Sequence, residues 1–295
     1  MIAGVSVNCF QGKNLSECID ILLELVNKEN LEAIELRLEE CSSNPSVWYS
    51  SLGPKLELLL NSFEIIGAHL PINGINLISQ NISMRNSSIN KITQGLDIAK
   101  ELNVDYCVMH CRGSKVTKSS SIVQNEWKNL ISTLTEYAED RSLLLLVENA
   151  DSITNLKTLV NIVKSIDSKS LKIALDIGHA HIREFHLSTG VKGFSLKCMD
   201  FLAGDLYRSN LNMPYGEYGS ISNFISIESQ VIKNIHIHDY NGREDHLPLG
   251  QGCIDFNFLN IMNQSYHGPC IIETFSKKPY SDLIQCYSTL KGCCR

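Results

Sequence analysis

Residues Asn234–Ile254 read NIHIHDYNGREDHLPLGQGCI and bring His236, His238, Asp239, Glu244, Asp245 and His246 into one short stretch. It opens on a β-like run, Ile232 to His238, and breaks at Tyr240-Asn241-Gly242. Imidazole nitrogens and carboxylate oxygens at the end of a strand are donors that a divalent cation takes, and a loop lets them converge. Other strands should then end in matching donors.

Working outward, they do. Ala3–Cys9 and Ala33–Leu38 read as the first two strands, and Ile65–Leu70 and Tyr106–His110 each carry a histidine at the end. Leu143–Glu148 is apolar until its glutamate, Leu171–Asp176 stops at an aspartate, and Cys270–Glu273 is apolar until Glu273. Between them lie segments with apolar residues at helical spacing, expected as helices over Leu15–Asn27, Val47–Leu60, Ile89–Leu102, Val123–Ala138, Ile153–Ile166 and Ser281–Leu290. Strands that are apolar throughout belong to a parallel sheet covered on both faces. Eight strands, most of them of this kind, alternating with helices predict a (β/α)8 TIM barrel forming a single domain over residues 1–295. An open doubly wound sheet would call for a glycine-rich first βα turn, which Phe10-Gln11-Gly12-Lys13 does not supply. One stretch departs from the rhythm: a long βα insertion around residues 190–227 carries Tyr207, Tyr215 and Tyr218 and reads as a lid.

Composition bounds the rest. The chain is 43 % hydrophobic and 20 % charged with a net charge of −6, an ordinary globule without a general polyanion-binding surface. No apolar run approaches the roughly 18 residues of a membrane span, and the start, MIAGVSVNCFQG, reads as strand and turn rather than a signal peptide. Eleven cysteines without a CxxC pair point to a reducing, cytoplasmic setting.

In a (β/α)8 barrel all strand ends open on one face. His69, His110, Glu148, Asp176, His236 and Glu273 close strands there, with His179 and His246 in the loops that follow. An unligated cluster of acids and imidazoles in one mouth repels itself or shifts its pKa values, and a bound divalent metal ion resolves the conflict.

The motifs AHLPINGINLIS (68–79), VMHCRG (108–113), LVENA (146–150), ALDIGHAHI (174–182), HIHDYNGREDHLPLGQGCIDF (236–256) and CIIETF (270–275) resemble, in this order, the xylose-isomerase-like barrel superfamily. That superfamily includes endonuclease IV and many sugar (phosphate) isomerases and epimerases. The resemblance implies Glu148, Asp176, His179, His236 and Glu273 at the metal, with His69, His110 and His246 added in the branch that holds more than one. Glu244 then falls where endonuclease IV has an acid two residues before the histidine, with Asp245 one step out of register.

The activity it implies is a divalent-metal-dependent isomerase or epimerase of a sugar or sugar phosphate, working through a metal-stabilised enediolate. Glu148 and Glu273 are the expected proton-transfer pair, and His179, His238 and Arg243 the expected substrate contacts. Phe10, Tyr240 and the lid tyrosines are the expected pocket wall. The cofactor is one to three ions of Zn, Mn, Fe or Co per chain. The partner is a small sugar, with a homo-oligomer open and no membrane. The alternative is multinuclear phosphodiester hydrolysis of the endonuclease IV type, the only reading with a nucleic-acid partner. A dehydratase or a metal-bearing binding module complete the set.

Overall fold

The computed structural model describes residues 1–10, 13, 15–29, 31–39, 45–113, 120–151, 155–189 and 216–293. Eight parallel strands close into a barrel in sequence order: β1 Ile2–Ser6, β2 Ala33–Arg37, β3 Ile65–His69, β4 Tyr106–His110, β5 Leu145–Glu148, β6 Leu171–Asp176, β7 Ile232–Ile237 and β8 Pro269–Ile272. The first strand pairs with the last, Ile2 opposite Pro269, so no edge remains open. Helices α1 Leu15–Glu29, α2 Pro45–Leu60, α3 Ile82–Glu101, α4 Ser120–Glu139, α5 Leu156–Ile166, α6 Ile177–Thr189, α7 Ile221–Glu228, α8 Phe258–Ser265 and α9 Pro279–Cys293 lie between and after the strands. Among the described residues, no helix is long and apolar enough to cross a membrane.

Alternation along each strand sorts the side chains into two cores. Ile34 and Leu36 of β2 and Ile235 and Ile237 of β7 join the large cluster under the helices. Tyr106, Val108, Leu146 and Ala174 form a small second cluster, the packing inside the barrel. Gly67 makes that packing possible, since a Cβ there would stand 2.2 Å from the Tyr106 ring. Above this plug the inward positions turn polar, and that layer is the site.

Helix starts differ from expectation where a cap overrides periodicity. Asn81 accepts the Met84 amide and starts α3 at Ile82, and Asn155 accepts the Thr158 amide and starts α5 at Leu156. The first turn of α6 follows Asp176 without a loop, so His179 stands on a helix rather than in the loop expected for it. Most of the expected insertion, including Tyr207 and Tyr215, lies outside the described residues; its end holds a short turn, Gly216–Tyr218, and α7.

Candidate metal centre

Register brings the strand-end donors to one level. Arg37 pairs with His69, His110 with Glu148, and Asp176 with His236 across neighbouring strands. Their side chains form three groups: His69, His110 and Glu148; Glu148, Asp176 and His236; and Asp176, His179, His238 and His246. Within each group one donor atom per residue lies within 4.8 Å of the others. Glu148 belongs to two groups and Asp176 to two, so the whole is one continuous constellation. Glu273 adjoins it, with Oε2 3.1 Å from His236 Nδ1 and Oε1 accepting from Asn8 Nδ2 at 2.6 Å.

The partners on the far side of each ring decide which nitrogen faces inward. His69 Nδ1 donates to the Leu70 carbonyl (2.9 Å), and His110 Nδ1 to Asp151 Oδ2 (3.0 Å). Both therefore turn Nε2 towards the centre, where the two nitrogens stand 3.2 Å apart and 3.6 and 3.0 Å from Glu148 Oε2. His236 is held from behind through Nε2, 3.0 Å from Glu35 Oε2, leaving Nδ1 facing Glu148 Oε2 at 3.5 Å. His238 is different. Its Nδ1 stands 3.0 Å from the His246 amide and 3.2 Å from the Asp239 carbonyl, and its Nε2 faces Asp176 Oδ1 at 3.2 Å. His238 thus meets the centre through Nε2, beside Asp176.

Several of these atoms have no hydrogen-bond partner among the described residues: both Glu148 oxygens, Asp176 Oδ2, and the Nδ1 atoms of His179, His236 and His246. The contacts of Glu148 are short but misdirected for hydrogen bonds. Buried orphan donors aimed at shared points are costly in a folded protein unless something charged sits among them. The residues thus fit a divalent cation of the mixed imidazole–carboxylate kind.

Electrostatics without a cation tell the same story. Burial would raise the Glu148 carboxyl, but His110 and His236 hold it well below the usual range. Glu273 is likewise lowered against burial, chiefly by His236. Burial would lower His110 and His179, yet Glu148 and Asp151 lift the first to about 10 and Asp176 and Glu148 the second to about 9. Protons take the place of positive charge that the acids demand.

The loop after β7 is built around Asp239, wholly buried, whose carboxylate accepts four amides: Tyr240 (2.7 Å), Ile254 (3.0 Å), Gly250 (3.0 Å) and Gly252 (2.8 Å). This fixes His246 at a left-handed φ of 53°, its ring stacked between His238 and Phe275 at 4.0 Å from each. Asp245, not Glu244, is the acid beside it, 3.5 Å from His246 Nδ1.

A cavity of about 370 Å³ opens above the constellation, in the range of a small-molecule site. His69, His110, His179, His246 and Glu273 reach it, as do Asn8, Arg37, Arg112, Asp151 and Phe275. Arg243, expected to touch substrate, is exposed on the loop and does not line it. Phe10 and Tyr240, expected in the pocket wall, are buried in the core under the helices. His238 is buried beneath His246 rather than facing the cavity. Reading the sequence missed Glu35, Arg37, Arg112 and Asp151. For the first two a signal existed, because Glu35 and Arg37 are polar at alternate positions of an otherwise apolar strand.

Residues 23–289 match the family model described as xylose isomerase-like TIM barrel. The uncharacterized protein MJ1614 of Methanocaldococcus jannaschii is 26 % identical over 296 residues, covering 99 % of this chain and 98 % of its own. Among solved structures, a D-tagatose 3-epimerase-like protein superposes with a TM-score of 0.72 at 23 % identity, over 99 % of this chain and 97 % of that one. The IolI protein, solved with a bound zinc atom, superposes with a TM-score of 0.66 at 15 % identity, over 99 % and 96 %. A closed eight-stranded barrel and a family match across nearly the whole chain place this protein in the xylose isomerase-like TIM-barrel family.

Proposed function

We propose that the chain is a divalent-metal-dependent isomerase or epimerase acting on a sugar or sugar phosphate. The observation that carries this reading is the pair Glu148 and Glu273. Their Oε2 atoms both approach His236 Nδ1, at 3.5 and 3.1 Å, under a cavity of small-molecule size. Both carboxyls are held in the ionised form, as bases must be. The resemblance in fold to a D-tagatose 3-epimerase-like protein supports the substrate class, and the zinc in IolI supports the cofactor.

Glu148, Asp176, His236 and Glu273 would hold the principal cation. When bound, the cation polarises the substrate carbonyl and hydroxyl oxygens and offsets the negative charge that develops as a carbon-bound proton leaves. Glu273 removes that proton and Glu148 returns it from the opposite side, or the reverse. His179, on the first turn of α6, reaches the cavity and binds a substrate oxygen. The water-poor floor, with Asp176 and His236 wholly buried, strengthens each of these interactions.

A second reading, phosphodiester hydrolysis with two or three metals, is favoured by one specific feature. His69 and His110 turn Nε2 towards Glu148, and His179 and His246 meet at Asp176, which a single-cation proton transfer does not require. Elemental analysis of protein purified without chelator separates the two. One ion per chain with turnover on a ketose panel supports the isomerase; two or three, with cleavage of small phosphodiesters and no sugar turnover, replaces it with the hydrolase.

A further inference from the structure

The two carboxylates assigned to proton transfer are held in different ways. Among the described residues, both buried oxygens of Glu148 lack a hydrogen-bond partner. Glu273 Oε1 instead accepts from Asn8 Nδ2 at 2.6 Å, while its Oε2 faces His236 Nδ1 at 3.1 Å. Asn8 belongs to none of the three donor groups, yet it lines the same cavity as Glu273.

Asn8 stands on a short turn, Val7–Cys9, that follows β1. Since β1 pairs with β8, Val5 opposite Ile272, this turn meets the chain where β8 ends. The Ser6 hydroxyl accepts the Asn8 main-chain amide (3.1 Å), and the Phe10 amide donates to the Val7 carbonyl (3.1 Å), which together shape the turn. Cys9 Sγ donates to the Ile272 carbonyl (3.2 Å) and accepts the Thr274 amide (3.3 Å), gripping the main chain on both sides of Glu273. The turn therefore holds Glu273 twice, through Cys9 at the main chain and through Asn8 at the carboxylate. An ionised carboxylate only accepts, so the amide nitrogen of Asn8, not its oxygen, is the end turned to Glu273. A neutral amide orients the carboxylate without bringing a positive charge to compete with a cation for it.

We propose that Asn8 is a positioning residue for Glu273: its side-chain amide holds Oε1 and leaves Oε2 to the cation, in the orientation that proton transfer uses. This rests on the reading of Glu273 as both ligand and base. It divides the two acids by what sets their place. Glu148, shared between two donor groups, is placed by the cation, whereas Glu273 is placed by the protein before a cation arrives. Asn8 acts through Glu273 and not on the cation itself.

The test is a double-mutant cycle on the whole chain, stripped of metal and reloaded with Co2+. Wild type, Asn8→Ala, Asn8→Leu, Glu273→Ala and the two double variants are compared by chelator competition and by the visible spectrum of the bound cobalt, with circular dichroism reporting the fold. Asn8→Leu fills the space that Asn8→Ala empties, so either variant can carry the cycle. Each single Asn8 variant should bind Co2+ about tenfold more weakly and shift the cobalt spectrum. In the Glu273→Ala background the same change should alter affinity by no more than about twofold and leave the spectrum as it is in Glu273→Ala alone. A loss of equal size in both backgrounds overturns the proposal, because Asn8 then acts independently of Glu273. A folded Asn8 variant with wild-type affinity and spectrum overturns it as well. On a ketose that the wild type turns over, Asn8→Ala should lower kcat by about tenfold with KM within about twofold. A raised KM with unchanged kcat would make Asn8 a substrate contact and overturn the positioning role. A coupled cobalt cycle without sugar turnover keeps Asn8 on Glu273 while sinking the isomerase reading. Sugar turnover with an uncoupled cycle does the opposite.

Discussion

Glu35 Oε2 lies 3.0 Å from His236 Nε2, and neither side chain reaches solvent. The same oxygen also accepts from Asn234 Nδ2 at 3.0 Å, so one carboxylate on β2 clamps two residues of β7 across the barrel. The clamp keeps the His236 hydrogen on Nε2 and presents Nδ1 to the centre. A carboxylate behind a ligating imidazole fixes its orientation and raises its basicity. Glu35→Ala is therefore expected to weaken metal binding by about 10- to 100-fold and to lower stability by about 1–3 kcal/mol, through the unpaired Asn234 amide. Competition with a chromophoric chelator and thermal melts measure the two effects; an unchanged metal affinity would remove Glu35 from the centre.

Glu148→Gln and Glu273→Gln separate chemistry from assembly. Either change removes a base, and turnover should drop by at least about 10²-fold. Glu148 belongs to two of the three donor groups and Glu273 to none, so Glu148→Gln should also lower the metal content while Glu273→Gln lowers it less. Near-wild-type turnover in either variant contradicts the proton-transfer assignment.

His69→Ala/His110→Ala tests how many ions the constellation carries. The two rings aim Nε2 at Glu148 and take no part in the group around His236. Elemental analysis should show the loss of one ion per chain if the site is multinuclear. An unchanged ratio would make the pair a hydrogen-bonded wall of a single-ion site.

Metal entry should expel protons. In the metal-free protein His110 and His179 sit at about 10 and about 9, both above the ordinary 6.5, because Glu148, Asp151 and Asp176 outweigh burial. Apparent affinity should climb from pH 7 towards pH 9, by about tenfold per pH unit for each proton released. Stability shows the complementary sign. These raised pKa values contribute stability that is fully present below pH 6.5 and is lost as pH rises through about 9 to 10. Melting temperatures in EDTA should thus fall between those limits. Flat melts across that window would mean the histidines are not paired as described.

Asp239→Asn should loosen the loop that carries His246. Replacing one carboxylate oxygen by an amide turns a donor towards donors and breaks charge-assisted bonds to two of four main-chain amides, costing about 3 kcal/mol. Hydrogen exchange at Gly250, Gly252 and Ile254 reports the change directly. Protection unchanged at these amides would show that the loop is held by other means.

The barrel was legible because its signals are local. Apolar strands, helical spacing and breakers between them follow from the period of each element, and a donor such as His110 at the end of Tyr106–His110 needs only its own segment to be noticed. The donor inventory, from His69 to Glu273, was readable for the same reason. What a residue does with its ring or carboxylate is set by atoms distant in sequence. Glu35 meets His236 across 201 positions, and Asn8 meets Glu273 across 265. His236 and His238 look alike in the sequence, two apart on one strand face. Glu35 behind the first leaves its Nδ1 facing the centre, whereas the second has its Nδ1 against the His246 amide and the Asp239 carbonyl and turns Nε2 to Asp176. Likewise Arg243 stands in the most informative stretch of the sequence yet is exposed, while Arg37 on β2 and Arg112 after β4 line the cavity. Periodicity and residue type determined the fold class and the list of donors. Only barrel closure, which sets the register between strands far apart in the chain, decided which donors share an atom's reach and which nitrogen each histidine turns inward.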